Sequence, residues 1–491
     1  MGKVVRDATL ERVGNEMNAL LGLIAQSMSE DASGKITSYS VIRSYLRAGL
    51  IRKILAVGDL IRVNKETSLS VTVAGTITAA TVNEDTFLAK TGHAGAGSYE
   101  FSYDGAAWSL HGETVELSEY GVTPTGSPAA EDKIVVHEAA SEIVFEVAGI
   151  DYDNPVSKTA EHSLSLITRD VQSYGTIPFH SPQLLKAIAA DEFADGLPAG
   201  TYTLTLDHGA YDGGTTQDGT FVLVTMQTIP VGGGIRHSAI GVYQSSSYTK
   251  AQILAGTWTT YDASGNVIES GLTTTEATAE TEGTSLGTAT AESMNLMVGT
   301  HLNSTRRQAH GSNEAAASYQ KMWLNSSAAG AASGQTASWF RKMSEFDLPI
   351  KSTLPGWLHG MDPDFVDCLG AVYKRTAVSA WDNNGTASYV DTQDTVFQLS
   401  MTEIGLGNNG SIVETSPKAD GTQGSTDPYP LYSGATQADR IKYEGTTARY
   451  WWLRSPIPSG CSYVRGVYPS GALSSSGAGS AIGAVAGLNF I

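Results

Sequence analysis

Tyr450-Trp451-Trp452-Leu453-Arg454-Ser455-Pro456 stands near the end of the chain. A region of small residues separates it from a terminal apolar run, Gly483-Ala484-Val485-Ala486-Gly487-Leu488-Asn489-Phe490-Ile491. Two adjacent tryptophans followed by Leu453 and Arg454 have the character of an anchor for a compact domain. One indole is expected inward, the other partly exposed, and Arg454 held by polar partners. Between anchor and terminal run, Val464, Arg465, Val467, Gly471, Leu473, Ala478 and Gly483 read as scaffold, while the Gly, Ser, Cys and Tyr residues among them read as side chains presented on a surface. A set of Gly/Ser-rich loops closing a β-domain is the other reading of the same residues.

Working outward, the whole chain has 491 residues, and at ~100–200 residues per domain that length suggests two to four domains. Charged residues make up 16% against a usual ~25%. This low share, with 53 glycines and many Val, Thr and Tyr residues, excludes long solvated charged helices as the main architecture. The expected class is mostly β with some α (α+β). An excess of 50 acidic over 31 basic residues gives a net charge of -19, which repels polyanions, so nucleic-acid binding is not expected. No apolar run approaches the ~18–20 residues of a membrane span, so no membrane insertion is expected. Met1-Gly2-Lys3-Val4-Val5-Arg6-Asp7 leads into a charged amphipathic segment and not the apolar core of a signal peptide, and is read as a start without N-terminal export. Cys368 and Cys461 are too few for a disulfide framework or a cysteine zinc site.

Leu10, Val13, Met17, Leu20 and Ile24 follow Thr9, a candidate N-cap, at spacings of 3, 4, 3 and 4. That is the seam pattern of a short coiled coil, and it predicts a mounting helix that joins copies into a homotrimer. An ordinary amphipathic helix packed on its own chain fits the same residues. A second helix is predicted over Ser38–Leu50, then a strand over 54–57. Alternating runs at 68–73, 99–103 and 107–110, with Asp104-Gly105 as a hairpin turn, predict a small β-domain. A strand is predicted over 142–147, and a helix from Ser181 and Pro182 to about Ala190. Strands at 202–206, 220–224 and 257–261 and a turn at 262–266 predict a second β-block. Residues 273–290 read as an exposed linker, and a helix is predicted over 314–324.

Several motif matches lack the setting their chemistry needs. Gly283-Thr284-Ser285-Leu286-Gly287 copies the nucleophile elbow, but without the strand and helix that strain the serine turn. Gly405-Leu406-Gly407-Asn408-Asn409-Gly410 copies the dinucleotide pattern, but no helix follows to hold a pyrophosphate. Asp362, Asp364 and Asp367 read either as a calcium cluster or, more simply, as acidic residues at a helix start. No catalytic constellation, metal site or cofactor is expected, and the chain is not read as an enzyme.

The C-terminal block resembles the C-type-lectin-fold variable proteins of phages that carry diversity-generating retroelements, the group of the phage tropism determinants. The formylglycine-generating enzymes share that broader fold. A Trp-Trp-Leu-Arg-Ser-Pro stretch precedes the variable region in that group. Further stretches resemble the same proteins: 36–39, 47–50, 57–59, Met322-Trp323-Leu324-Asn325-Ser326, Gly360-Met361-Asp362-Pro363-Asp364-Phe365 and 438–443. The resemblance implies a C-type-lectin-like C-terminal domain with inserted small β-domains and an N-terminal helical oligomerisation segment. It divides the chain into a helix at 1–35, core at 36–64, an insertion at 65–134, core at 135–195, an inserted β-rich domain and linker at 196–290, and core at 291–491.

By position, the resemblance makes Ile457, Gly460, Ser462, Tyr463, Gly466, Tyr468, Ser474, Ser475, Ser476, Gly479, Ser480 and Ile482 the diversified, ligand-binding residues, with Cys461, Gly477 and Ala481 among them; the variable region is about 457–482. Trp451, Trp452 and Arg454 are the scaffold anchor. The calcium-dependent sugar motifs of animal lectins and the paired cysteines of the formylglycine-generating enzymes are absent, so neither chemistry is carried over. The implied function is that of a virion receptor-binding protein, at a tail tip or fibre or on the capsid exterior, made in the host cytoplasm. Its partners would be a host-cell surface protein or glycan, and other virion proteins through the N-terminus. A structural fibre or decoration protein is the alternative, and a glycan-acting enzyme a further one that would need two close carboxylates in a cleft.

Overall fold

A computed structural model describes residues 39–91, 96–208, 219–238, 250–276, 294–298, 305–380, 386 and 388–491. Among them strand outweighs helix, 37% against 13%, so the chain is β-rich as its composition predicts. The N-terminal seam helix and the Gly283–Gly287 motif lie outside the described residues. The chain separates into two compact units, one of 1–54, 59–145 and 358–368, the other of 55–58, 146–357 and 369–491.

In the first unit, helix Tyr39–Arg47 buries Tyr39, Ile42, Tyr45 and Leu46 on one side, the i, i+3, i+6, i+7 pattern of an amphipathic helix. Tyr39 packs edge-on to Phe365 at 5.3 Å. Asp362 caps the short helix Pro363–Val366, accepting from the backbone N–H groups of Asp364 and Phe365. That is the helix-start role for Asp362 and Asp364, whereas Asp367 stands at the other end of the helix as its C-cap. Strands Ala96–Tyr103 and Trp108–Leu110 form the predicted hairpin. Its turn uses Gly105 at φ 100°, and Asp104 accepts from the N–H groups of Ala106 and Ala107. Phe87, Phe101, Ile134 and Val136 centre the core of this unit.

In the second unit, the terminal strand Ala486–Phe490 lies between Val396–Gln398 and Leu164–Thr168, antiparallel to both. It is buried throughout, which is why the terminal run carries almost nothing polar. Two further four-stranded sheets enclose Tyr202, Phe221, Leu223, Ile235 and Trp258. The predicted turn at 262–266 is present, with Asp262 accepting from Ser264 N and Asn266 N.

Four local expectations are corrected. Residues 54–57 are turn and irregular backbone, and the strand begins at Leu60. Residues 181–190 are extended, not helical, and include the short strand Lys186–Ala187. Their backbone bonds go to other segments, Leu185 N to Ile235 O, Ile188 N to Gly233 O and Leu184 N to Phe346 O, pairings that an extended chain makes and a helix, which bonds within itself, does not. The helix expected over 314–324 breaks at Ser318 into Ala315–Ala317 and Tyr319–Leu324, because Ser318 is itself an N-cap and accepts from Lys321 N. Residues 274–276 of the supposed linker form a strand against Phe221–Leu223.

Candidate functional site

The C-terminal sheet runs Leu473–Gly477, Tyr463–Val467, Trp451–Pro456, Gly483–Ala484. Its first two pairings are antiparallel and the last is parallel. Trp452 pairs with Gly466, Gly466 with Ser474 and Val464 with Ser476. Side chains alternate across a strand, so these five residues share one face. Trp451, Leu453, Val467 and Leu473 enter the core behind the other face. Trp452 packs with Phe179, Val464, Ala478 and Ile482. Both tryptophans are therefore 0% exposed, correcting the expectation that one shows at the surface: the sheet is covered on both sides at this point.

Toward solvent the Trp452 face continues as a row of rings. Tyr450 lies 5.9 Å from Trp452 and 5.0 Å from Tyr468, centroid to centroid. Gly466 makes room for this row, since a Cβ there would stand 2.4 Å from the Tyr450 ring. Tyr468 ends the row at 48% exposure. The turn that follows closes through Tyr468 N to Ala472 O at 2.8 Å, with Gly471 at φ 80° and its α-carbon facing Gln437 O too closely for any side chain.

The resemblance-implied residues divide by burial. Tyr468 is exposed, and Ile457, Tyr463, Ser474, Ser475, Ser476, Gly479 and Ser480 are half-buried. Gly460, Ser462, Gly466 and Ile482 are buried, as are Cys461 and Gly477, so these are not surface positions. Cys461 O accepts from Arg307 and Asn313, Ser462 O accepts from Ala478 N, and Ile482 belongs to the Trp452 cluster. Ser474, Ser476 and Tyr468 share the Trp452 face. Tyr463 and Ser475 point the other way, where the Tyr463 ring meets His310 at 5.7 Å.

The hairpin and its entry loop are gripped by the main chain. Asn313 Nδ2 donates to Gly460 O at 2.8 Å and Tyr463 O at 3.0 Å, and Asn313 N to Cys461 O at 3.1 Å. Arg307 Nε donates to Cys461 O, Gln320 Nε2 to Ile482 O, His180 N to Ala478 O and Ala380 N to Pro458 O. Each acceptor is a backbone carbonyl, a group present whatever the side chain.

Behind the anchor lies a buried ionic network. Arg454 binds both carboxylate oxygens of Glu403 and donates to Thr376 Oγ1, Gln398 O and Glu414 O. Lys374 donates to Asp153 Oδ1 at 2.5 Å, Glu403 Oε1 at 2.9 Å and Tyr429 Oη at 2.8 Å. Its Nζ also sits 3.7 Å from the Phe397 ring centroid. Burial alone would raise the Glu403 carboxyl, but Arg454 and Lys374 together hold it down to about 2. Glu414, with burial dominant and only weaker partners, is pushed up instead. Tyr429 is raised by burial and by the neighbouring Asp153 and Glu403 charges. Arg454 thus has the polar partners expected of it.

Lys374, Asp153, Glu403, Arg307 and Asn313 are the residues that sequence reasoning missed. The one signal for them is the pair Lys374-Arg375 inside Val372-Tyr373-Lys374-Arg375-Thr376-Ala377-Val378, charges placed in an otherwise strand-like run. Residues 287–485 match the model of a domain of unknown function, DUF6273. The match holds Lys374, Glu403, Arg454 and the whole hairpin, and leaves out Asp153. No curated protein and no solved structure matches the chain.

Proposed function

We propose that the C-terminal hairpin is the binding face of a phage virion protein, a C-type-lectin-like surface whose side chains are diversified to recognise a host-cell surface protein or glycan. The observation that carries this reading is the carbonyl grip: Arg307, Asn313, Gln320 and His180 fix the backbone of 460–482 without using its side chains. Chemistry can then change at Tyr468, Ser474 and Ser476 on the Trp452 side of the hairpin, and at Tyr463 and Ser475 on its other side, over an unchanged frame. Tyr offers contact area at low entropy cost, and Ser adapts, the combination antibody paratopes use. The N-terminal segment would mount the protein on the virion and join three copies, and several copies would raise weak single contacts to useful avidity.

The test replaces Tyr463 and Tyr468 together by Ser in the virion. Aromatic anchors carry ~2 kcal/mol or more each in such surfaces, so adsorption to the host is expected to be lost while the purified variant keeps its melting temperature. Adsorption at the unaltered rate by a folded double variant overturns the proposal. A copy of the DNA encoding 457–482 that differs only at adenines, next to a reverse-transcriptase gene, is the result expected for the diversified origin.

A further inference from the structure

Asp153 and Lys374 lie on neighbouring extended segments. Tyr373 N donates to Asn154 O at 3.0 Å and Val156 N to Ala371 O at 2.9 Å, and Pro155 pairs antiparallel with Val372. This register sets Asp153 beside Lys374 although 221 positions separate them in sequence. Lys374 Nζ is 2.5 Å from Asp153 Oδ1, and both side chains are 0% exposed. The two oxygens of Asp153 have different surroundings. Oδ1 faces the lysine, while Oδ2 has three possible donors, Ser165 Oγ at 2.8 Å, Tyr429 Oη at 2.7 Å and Asn489 Nδ2 at 3.0 Å. A second carboxylate, Glu403, places Oε1 2.9 Å from the same Nζ.

A buried ammonium and carboxylate are costly to keep charged, and proton transfer between them yields an amine and a carboxylic acid. Those are the two reactants of an amide. We propose that Lys374 and Asp153 are joined in the folded protein by a side-chain amide bond formed by the protein itself. The Nζ–Cγ bond forms and the Cγ–Oδ1 bond breaks. Of the three protons on the lysine ammonium, one stays on the amide nitrogen and two leave with Oδ1 as water. Atoms and charge therefore balance with no further reactant. Glu403 Oε1 takes a proton from Nζ and passes it to the departing Oδ1. The donors on Oδ2 stabilise the negative charge that develops there in the tetrahedral intermediate, as preorganised dipoles do in acyl transfer.

The surroundings suit the product as well as the reaction. Once Lys374 and Asp153 are neutral, Glu403 and Arg454 remain as a bidentate pair, so no buried charge is left alone. Phe397 below Nζ and Tyr429 beside it limit access of the water that would reverse the step. Cys368 and Cys461 are not joined in a disulfide, and the amide would give this chain a covalent closure that no disulfide provides, restricting the unfolded state over a long loop.

The test is mass spectrometry of the full-length chain after folding and then complete denaturation. The expected mass lies one water below that of the 51.6 kDa sequence, and proteolysis is expected to release one branched peptide carrying both Asp153 and Lys374. Lys374→Arg keeps the charge but offers no amine, and is expected to show no water loss. An unmodified mass for the folded wild-type chain, or separate peptides for the two residues, overturns the proposal, as does a water loss that maps to other residues. The wild-type peptide map decides even where the Arg variant fails to fold.

Discussion

Glu403 and Glu414 are both fully enclosed and both feel Arg454, yet their carboxyls are driven in opposite directions. With Lys374 and Asp153 unjoined, Glu403 has two cations at contact and is held down to about 2; Glu414 receives Ala377 N, Ser455 Oγ and the Asn409 side chain and is pushed up by burial. The linkage sign follows. A carboxyl depressed in the folded state adds stability that is complete above its unfolded value and is lost as pH falls from about 4.5 toward about 2. A raised carboxyl favours the fold at low pH and loses that contribution as pH climbs through its folded value. Urea unfolding between pH 2 and 7 is therefore expected to show an acid-side loss that Glu403→Gln reduces, the remainder coming from other depressed carboxyls such as Asp347, at a cost of about 3–5 kcal/mol at neutral pH for the cation left unpaired. Glu414→Gln is expected to cost about 1–3 kcal/mol, since the amide oxygen still accepts from Ala377 N but the amide nitrogen cannot accept from Ser455 Oγ. On the hairpin, Trp452→Ala is expected to cost about 3–5 kcal/mol as a large-to-small change in a closed core. Tyr468→Ala is expected to stay within about 0.5 kcal/mol as a surface change, a contrast that chemical denaturation reads directly.

The elements show where local sequence suffices and where it does not. The turn at Asp104-Gly105 and the Asp262 turn were legible because each is closed by an aspartate two to four residues from its partners. The extended course of 181–190 was not, because Pro182 after Ser181 is good helix-start chemistry; the choice is made by backbone bonds to Gly233, Ile235 and Phe346, all distant in sequence. The helix at 314–324 was legible in place but not in continuity, since Ser318 reads as a tolerable interior residue until its side chain is seen to cap. In the C-terminal sheet the strands and scaffold residues Val464, Val467 and Ala478 could be picked from their pattern. The burial of Trp452 depends on Phe179 and Ala315, far away in sequence. Two changes probe this element. Gly466→Ala drives a Cβ into the Tyr450 ring and Trp451 O, and a loss of about 1–3 kcal/mol is expected for such overpacking. Asn313→Ala removes the donor from the Gly460 and Tyr463 carbonyls, and faster amide exchange confined to 457–463 is the expected result.

For the whole molecule, the expectation of assembly comes from the Leu10–Ile24 spacing alone, which lies outside the described residues. The 3, 4, 3, 4 spacing leads us to expect a homotrimer by light scattering and a weakened one after Leu20→Asp, because a charge in a shared apolar seam is costly. A monomeric intact protein removes the basis for that expectation. The β-rich class was legible from composition alone. The ionic network was not, since Asp153, Lys374, Glu403 and Arg454 come from four separate stretches and only the fold brings them within contact.

The grip on the hairpin by backbone carbonyls has a consequence for heredity. A codon change at Tyr468, Ser474 or Ser476 rewrites what the surface says without touching the acceptors that hold it in place. On the proposed reading, folding and recognition would be inherited through different atoms of the same residues, and outward chemistry at these three positions would be free to change while the frame that holds them is kept.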